Sequence, residues 1–119
     1  MKFTDKRALK VIKSIKCYEA KESIESYPEE ERDGKTELEI VLDELEYFVY
    51  MFEEVDGSFK GDLDESREIL RRTSNGKTIP ISLTTLKPIY SEWRIKSAKN
   101  TVSEYRQLKR LVSKLKEEV

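Results

Sequence analysis

The chain has 119 residues, with 23 Lys plus Arg against 24 Asp plus Glu, no histidine and one cysteine. That length suits one domain around one core, and a lone Cys17 rules out an internal disulfide or a cysteine-based zinc site. The missing histidine removes the usual general base, the commonest metal ligand and the near-neutral pH switch, so a non-enzyme without cofactor or metal is expected.

Four glycines and three prolines leave few turns, and the apolar residues are periodic. Both features favour a mainly α fold. No stretch reaches the roughly 18 uninterrupted apolar residues of a membrane span. The opening MKFTDKRALKVIKSIK lacks the apolar segment of a secretion signal. A cytoplasmic protein with no membrane partner is therefore expected.

The first predicted helix covers 5–27, capped by Thr4 or Asp5 and stopped before Pro28. Ala8, Ile12 and Ile15 share one face, and Cys17, Ala20, Ile24 and Tyr27 continue an apolar stripe. PEEERDGK then reads as a polar loop with an Asp-Gly turn.

The central helix is predicted over 36–55. Thr36 and Glu39 form a capping box. Leu38, Val41, Leu45, Phe48, Phe52 and Val55 are spaced 3, 4, 3, 4, 3. Tyr47, Tyr50 and Met51 nearly close an apolar ring, so Tyr47 to Phe52 is expected inside the protein. Every charge on this helix is negative. Asp56-Gly57 is expected to end it through a left-handed glycine.

A short helix is predicted over 62–72, opened by Asp62 with Glu65 as its box partner. Residues 71–83 contain Asn75-Gly76 and read as a small β-hairpin or an extended connector. A long basic helix is predicted over 84–118. Leu86, Tyr90 and Trp93 share its first face. Ala98, Thr101, Tyr105, Leu108, Val112, Leu115 and Val119 follow after a phase slip. Trp93, Tyr90 and Tyr105 fall on the apolar side and are expected in the core. The fold expected is an antiparallel bundle of three longer helices and one short helix, with the hairpin as an option before the last helix.

Charge is laid out in blocks. Met1–Lys16 carries six basic residues and one acid, a net of +5; 17–65 carries −14; 66–116 carries +10. Such blocks favour pairing the acidic centre with the basic ends. The last helix also outreaches the central one, so its far end must meet the first helix, a second copy or a partner.

Three functions follow in order of preference. The first is a non-catalytic interaction or regulatory protein. It would bind a macromolecular partner, foremost a protein, through Arg71, Arg72, Lys77, Lys87, Arg94, Lys96, Lys99, Arg106, Arg110 and Lys114. Small inhibitors and regulators from mobile elements share this layout, as a class analogy. Tyr105, Leu108, Val112 and Leu115 are candidates for helix packing or for a homodimer.

The second is a DNA-binding regulator. RRTSNGKTIPISLT looks like the wing of a winged helix followed by a dimerisation helix, and Lys and Arg would release counterions from phosphates. Asp62, Asp64, Glu65 and Glu68 in the recognition position oppose it. The third is a metal-dependent nucleotide pyrophosphohydrolase. Glu39, Asp43 and Glu46 share a helical face, with Glu19 and Glu22 on the neighbouring helix. Their arrangement is similar to that of the MazG-like group, but the Glu-Glu-x-x-Glu and Glu-x-x-Asp motifs of that group are not in register. No residue is carried over. Cys17 is expected as a small core residue, since no histidine exists to activate it.

Overall fold

A computed structural model describes residues 1–73 and 90–119, and among these every regular element is helical. The protein is mainly α, as composition and periodicity predict.

The expected first helix is divided. α1 spans Lys6–Ser14 and is capped by Asp5, whose carboxylate accepts from the Ala8 N–H at 3.0 Å. α2 spans Tyr18–Glu25. Between them, Ile15 and Cys17 are extended, with ψ of 124° and 107°. The cause is phase. Ile15 and Cys17 are two positions apart, which on one helix would turn them about 200° from each other. Breaking the helix lets Ile12 and Ile15 share one core with Cys17, Ala20 and Ile24. Gln107 bridges the break. Its Oε1 accepts from the Lys16 N–H at 2.7 Å and its Nε2 donates to the Ser14 carbonyl at 2.6 Å.

The Asp-Gly signal is a turn. Asp33 and Gly34 both sit in the left-handed region, at φ 48° and 75°, and the Lys35 N–H donates to the Arg32 carbonyl at 3.0 Å. A 3₁₀ turn, Glu29–Glu31, precedes it.

α3 spans Glu37–Glu53 and starts with the predicted capping box. The Glu39 N–H donates to Thr36 Oγ1 at 3.1 Å, and the Glu39 carboxylate accepts from the Thr36 N–H at 3.3 Å. Val41, Leu45, Phe48 and Phe52 are buried as the stripe predicts, and Ile40 joins them. The apolar ring does not close, however. Tyr47 and Tyr50 are 52% and 54% exposed, because among the described residues no helix covers that side of α3. Glu37 is buried and accepts from the Thr4 N–H at 2.5 Å and the Asp5 N–H at 2.7 Å. It satisfies the otherwise unpaired donors at the start of α1.

α4 spans Ser58–Arg72, four residues ahead of the predicted start. Gly57 precedes it in an extended conformation, φ 174°, and not in the left-handed one expected of a helix stop. Asp62 lies inside α4 and caps nothing. The early start has a packing reason: it aims Phe59 at Phe48 and Phe52, edge-on at 5.6 and 5.1 Å.

α5 spans Glu92–Glu118, with Ser91 Oγ accepting from the Arg94 N–H at 3.2 Å. The helix predicted over 84–118 is thus seen from Glu92, with Tyr90 and Ser91 outside it, and 84–89 lie outside the described residues. The hairpin expected over 71–83 lies outside the described residues, save that Arg71 and Arg72 close α4. The buried stripe of α5 is Ile95, Ala98, Val102, Tyr105, Leu108, Val112 and Leu115. Its spacings are 3, 4, 3, 3, 4, 3, so the phase slip falls between Val102 and Leu108 and not between Trp93 and Ala98. Trp93, expected in the core, is 77% exposed, because Ile95 sets the phase at that end.

Contacts fix the helix directions. Arg7 meets Glu118, and Gln107 meets Ser14, so α1 runs against α5. Lys116 meets Glu46 and Lys109 meets Glu53, so α3 also runs against α5. Phe59 sits by Phe52, which touches Tyr105, while Ile69 at the other end of α4 packs with Ile95 and Ala98. Hence α4 continues in the direction of α3, and α5 lies antiparallel to both in tandem. α1 and α3 are parallel to each other, which corrects the purely antiparallel order expected.

Two regions result. A body holds α1, α2, α3 and the second half of α5 around the larger core, into which Leu63 of α4 and Val102 of α5 also reach. An arm holds α4 and the first half of α5, joined by a small cluster of Ile69, Ile95 and Ala98 with Leu70 and Tyr90 against it. The long helix is thus packed along its length and is not a free rod.

Candidate functional site

On the arm, one side of the α4–α5 seam is a cationic groove of about 400 Å³ lined by Arg67, Leu70, Arg71, Lys99, Val102 and Arg106. A shallower continuation adds Ser103 and Arg110. The local folding explains the arrangement. Arg67 and Arg71 are four apart on α4, hence on one face; Lys99, Arg106 and Arg110 are at i, i+7 and i+11 on α5. Val102 is buried at the seam and half-buried Leu70 lies beside it, so the floor is apolar and the walls are basic.

The structure brings some of the candidate residues together and separates the others. Lys99, Arg106, Arg110 and Arg71 come together in the groove. Arg72 and Arg94 are engaged elsewhere on the arm. Arg71 and Arg72 each lie 2.6 Å from Glu68, and together they hold its carboxyl below the ordinary range. Arg94 pairs with Glu65 across the seam. Lys114 is apart from the groove, in a cleft between α1 and α5 with Arg7 and Lys10. Lys96 is exposed outside these linings. Lys77 and Lys87 lie outside the described residues. Lys96, Lys99, Arg106, Arg110 and Lys114 form no ion pair with another described residue.

The cations of α5 that face the body behave differently. Lys109 lies 3.1 Å from Glu53, which also accepts from the buried Tyr105 hydroxyl. That hydroxyl first, and Lys109 next, hold the Glu53 carboxyl below its ordinary value. Arg67 stacks over the Tyr105 ring at 5.1 Å, so Tyr105 ties groove to body.

Arg67 was not among the sequence candidates. Its four-residue spacing from Arg71 was the available signal. The floor residue Val102 was missed because Thr101 was taken for the stripe.

The apolar stripe offered for a homodimer is occupied by this chain. Tyr105, Leu108, Val112 and Leu115 are all buried in the main core, at 5%, 0%, 9% and 1% exposure. A second copy has no access to them in this fold.

The acids considered for metal are dispersed in their contacts. Glu39 serves the capping box, Asp43 pairs with Lys35 at 2.8 Å, and Glu46 faces Lys116 at 4.0 Å. Among the described residues no three acidic or cysteine side chains are placed to hold one ion. Cys17 is fully buried, and burial pushes its thiol up to about 11, so it is a protonated core group at neutral pH. No described helix is long and apolar enough to cross a membrane.

No family model, no curated protein and no solved structure matches the chain.

Proposed function

We propose that this is a non-catalytic interaction protein that takes a negatively charged macromolecular partner on the basic face of α5. The observation that carries the reading is the groove itself. Among the described residues its lining has basic side chains on both walls and no acid, whereas Lys109 and Lys116, on the body side of α5, are matched by acids of α3. An arginine or lysine with no internal partner keeps its full attraction for an external one. A regulatory role by occlusion or recruitment follows from such binding and needs no reacting group.

A DNA-binding regulator is less well supported. In that reading α4 would approach phosphate with Asp62, Asp64, Glu65 and Glu68 along it.

The test compares the wild-type chain with a Lys99→Glu, Arg106→Glu, Arg110→Glu variant as bait in a lysate of the native host, at low and at raised salt. The expected result is a partner retained by the wild type, released by salt and lost from the variant, with unchanged circular dichroism. Equal retention by both baits, or by neither, overturns the reading.

A further inference from the structure

We infer that the groove's ligand is an acidic amphipathic α-helix of a protein partner, lying along the α4–α5 seam with apolar residues on Leu70 and Val102. This rests on the reading above and specifies it.

Charge complementarity selects an anionic partner. The walls supply Arg67, Arg71, Lys99 and Arg106, with Arg110 prolonging one wall. At about 1.5 Å rise per residue, positions 99, 106 and 110 are spaced about 10.5 and 6 Å along a straight axis. A second helix laid beside α5 presents carboxylates at i, i+7 and i+11 with the same spacing, so one register satisfies every cation of that wall.

The floor decides between a protein and a nucleic acid. Counterion release at phosphates uses the cations alone and gains nothing from an apolar strip beneath them. A helix in a groove uses both, its apolar stripe covering the floor and its flanking acids meeting the rim. Among the described residues only α4 and α5 build the arm at this level, and a third helix laid in the groove gives α5 the packing it already has in the body.

Acids near the groove weaken its pull on phosphate and carboxylate alike, which leaves the discrimination to the apolar floor. Glu68 sits one turn from Arg71 and partly neutralises it. Asp64 is exposed on the same helix. Within the roughly 8 Å screening length at physiological salt, such local charges set the field.

The experiment titrates isotopically labelled full chain with three probes. One is a synthetic Glu/Leu/Ala helix carrying Glu at i, i+7 and i+11 beside a leucine stripe. The second is a scrambled peptide of the same composition, and the third is a random-sequence DNA duplex. Expected is binding of the ordered helix with amide shifts at Leu70, Lys99, Val102 and Arg106, and about tenfold weaker binding of the scrambled peptide. Lys99→Glu with Arg106→Glu should weaken the ordered helix by about tenfold or more, and Leu70→Ala by several-fold, with circular dichroism unchanged.

Equal binding of both peptides overturns the inference, since charge without register then suffices. DNA binding as tight as the ordered helix, indifferent to Leu70→Ala, overturns it too while leaving an anionic macromolecule on α5. No binding of any probe at low salt removes both the inference and the function it refines.

Discussion

The body and the arm share one helix and treat it differently. In the body, α5 is flanked by α1 and α3, and its stripe from Tyr105 to Leu115 is part of the larger core. Lys109 and Lys116 there are matched by Glu53 and Glu46. In the arm, the same helix has α4 as its neighbour, and among the described residues the second cluster has only Ile69, Ile95 and Ala98 as buried members. Lys99 and Arg106 there line an open groove, and Trp93 is mostly exposed. One helix thus serves as core element at one end and as presenting surface at the other. Among the described residues, helix number around it makes the difference: two neighbours cover its apolar face and match Lys109 and Lys116, whereas one leaves the apolar face and Lys99 partly open.

The largest expected effect lies in the body. Leu45 is fully buried among these helices, so Leu45→Ala should cost about 2–5 kcal/mol in urea unfolding. A loss well under 1 kcal/mol would show that the body core is not closed as described.

Next comes the arm. Ile95→Ala should cost about 2 kcal/mol, near the low end for such truncations, since fewer groups surround the site. The loss should appear as faster amide hydrogen exchange in α4 and in 92–102, with protection in α3 unchanged. Uniformly faster exchange in both regions would merge body and arm into one cooperative unit.

Gln107→Ala sharpens the boundary of the body. It removes an acceptor from the Lys16 N–H and a donor from the Ser14 carbonyl, at a cost of about 1–2 kcal/mol. Accelerated exchange at Lys16 should accompany it. Unchanged exchange there would mean that water replaces the side chain without loss.

The smallest effect is in pH. Glu53 has a folded pKa below its ordinary value, owing to the Tyr105 hydroxyl and then Lys109. Its stabilisation is full above the ordinary carboxylate value and is lost as pH falls from there through the lowered one. Tyr105→Phe should therefore reduce the fall in stability between neutral and acid pH. An identical pH dependence in the variant would break the assignment.

Much of this could be read from the residues. Thr36 and Glu39 announce a cap, Asp33-Gly34 a turn, and Leu45, Phe48 and Phe52 a buried stripe, because each depends on neighbours within about a turn of the chain. The break after Ser14 was harder. It is written in the phase difference between Ile15 and Cys17, but its stabilising partner, Gln107, stands 91 positions away from Lys16. Trp93 misled for a similar reason, since an aromatic reads as core until the true phase residue, Ile95, is known. The groove was half legible: Lys99, Arg106 and Arg110 fall on one helical face by spacing, whereas Arg67, Leu70 and Val102 join them only when α4 is laid alongside.

By itself, then, the amino-acid order determined that the protein is helical, which side of α3 is buried, and that acid and base are segregated along the chain. These are short-range or compositional properties. The tertiary structure alone decided that α4 prolongs α3 against α5 and, among the described residues, that Lys109 is matched while Lys99 is not and that a two-helix arm extends from a fuller body. Those outcomes depend on which distant surfaces meet, and periodicity along one helix carries no record of its neighbour's register.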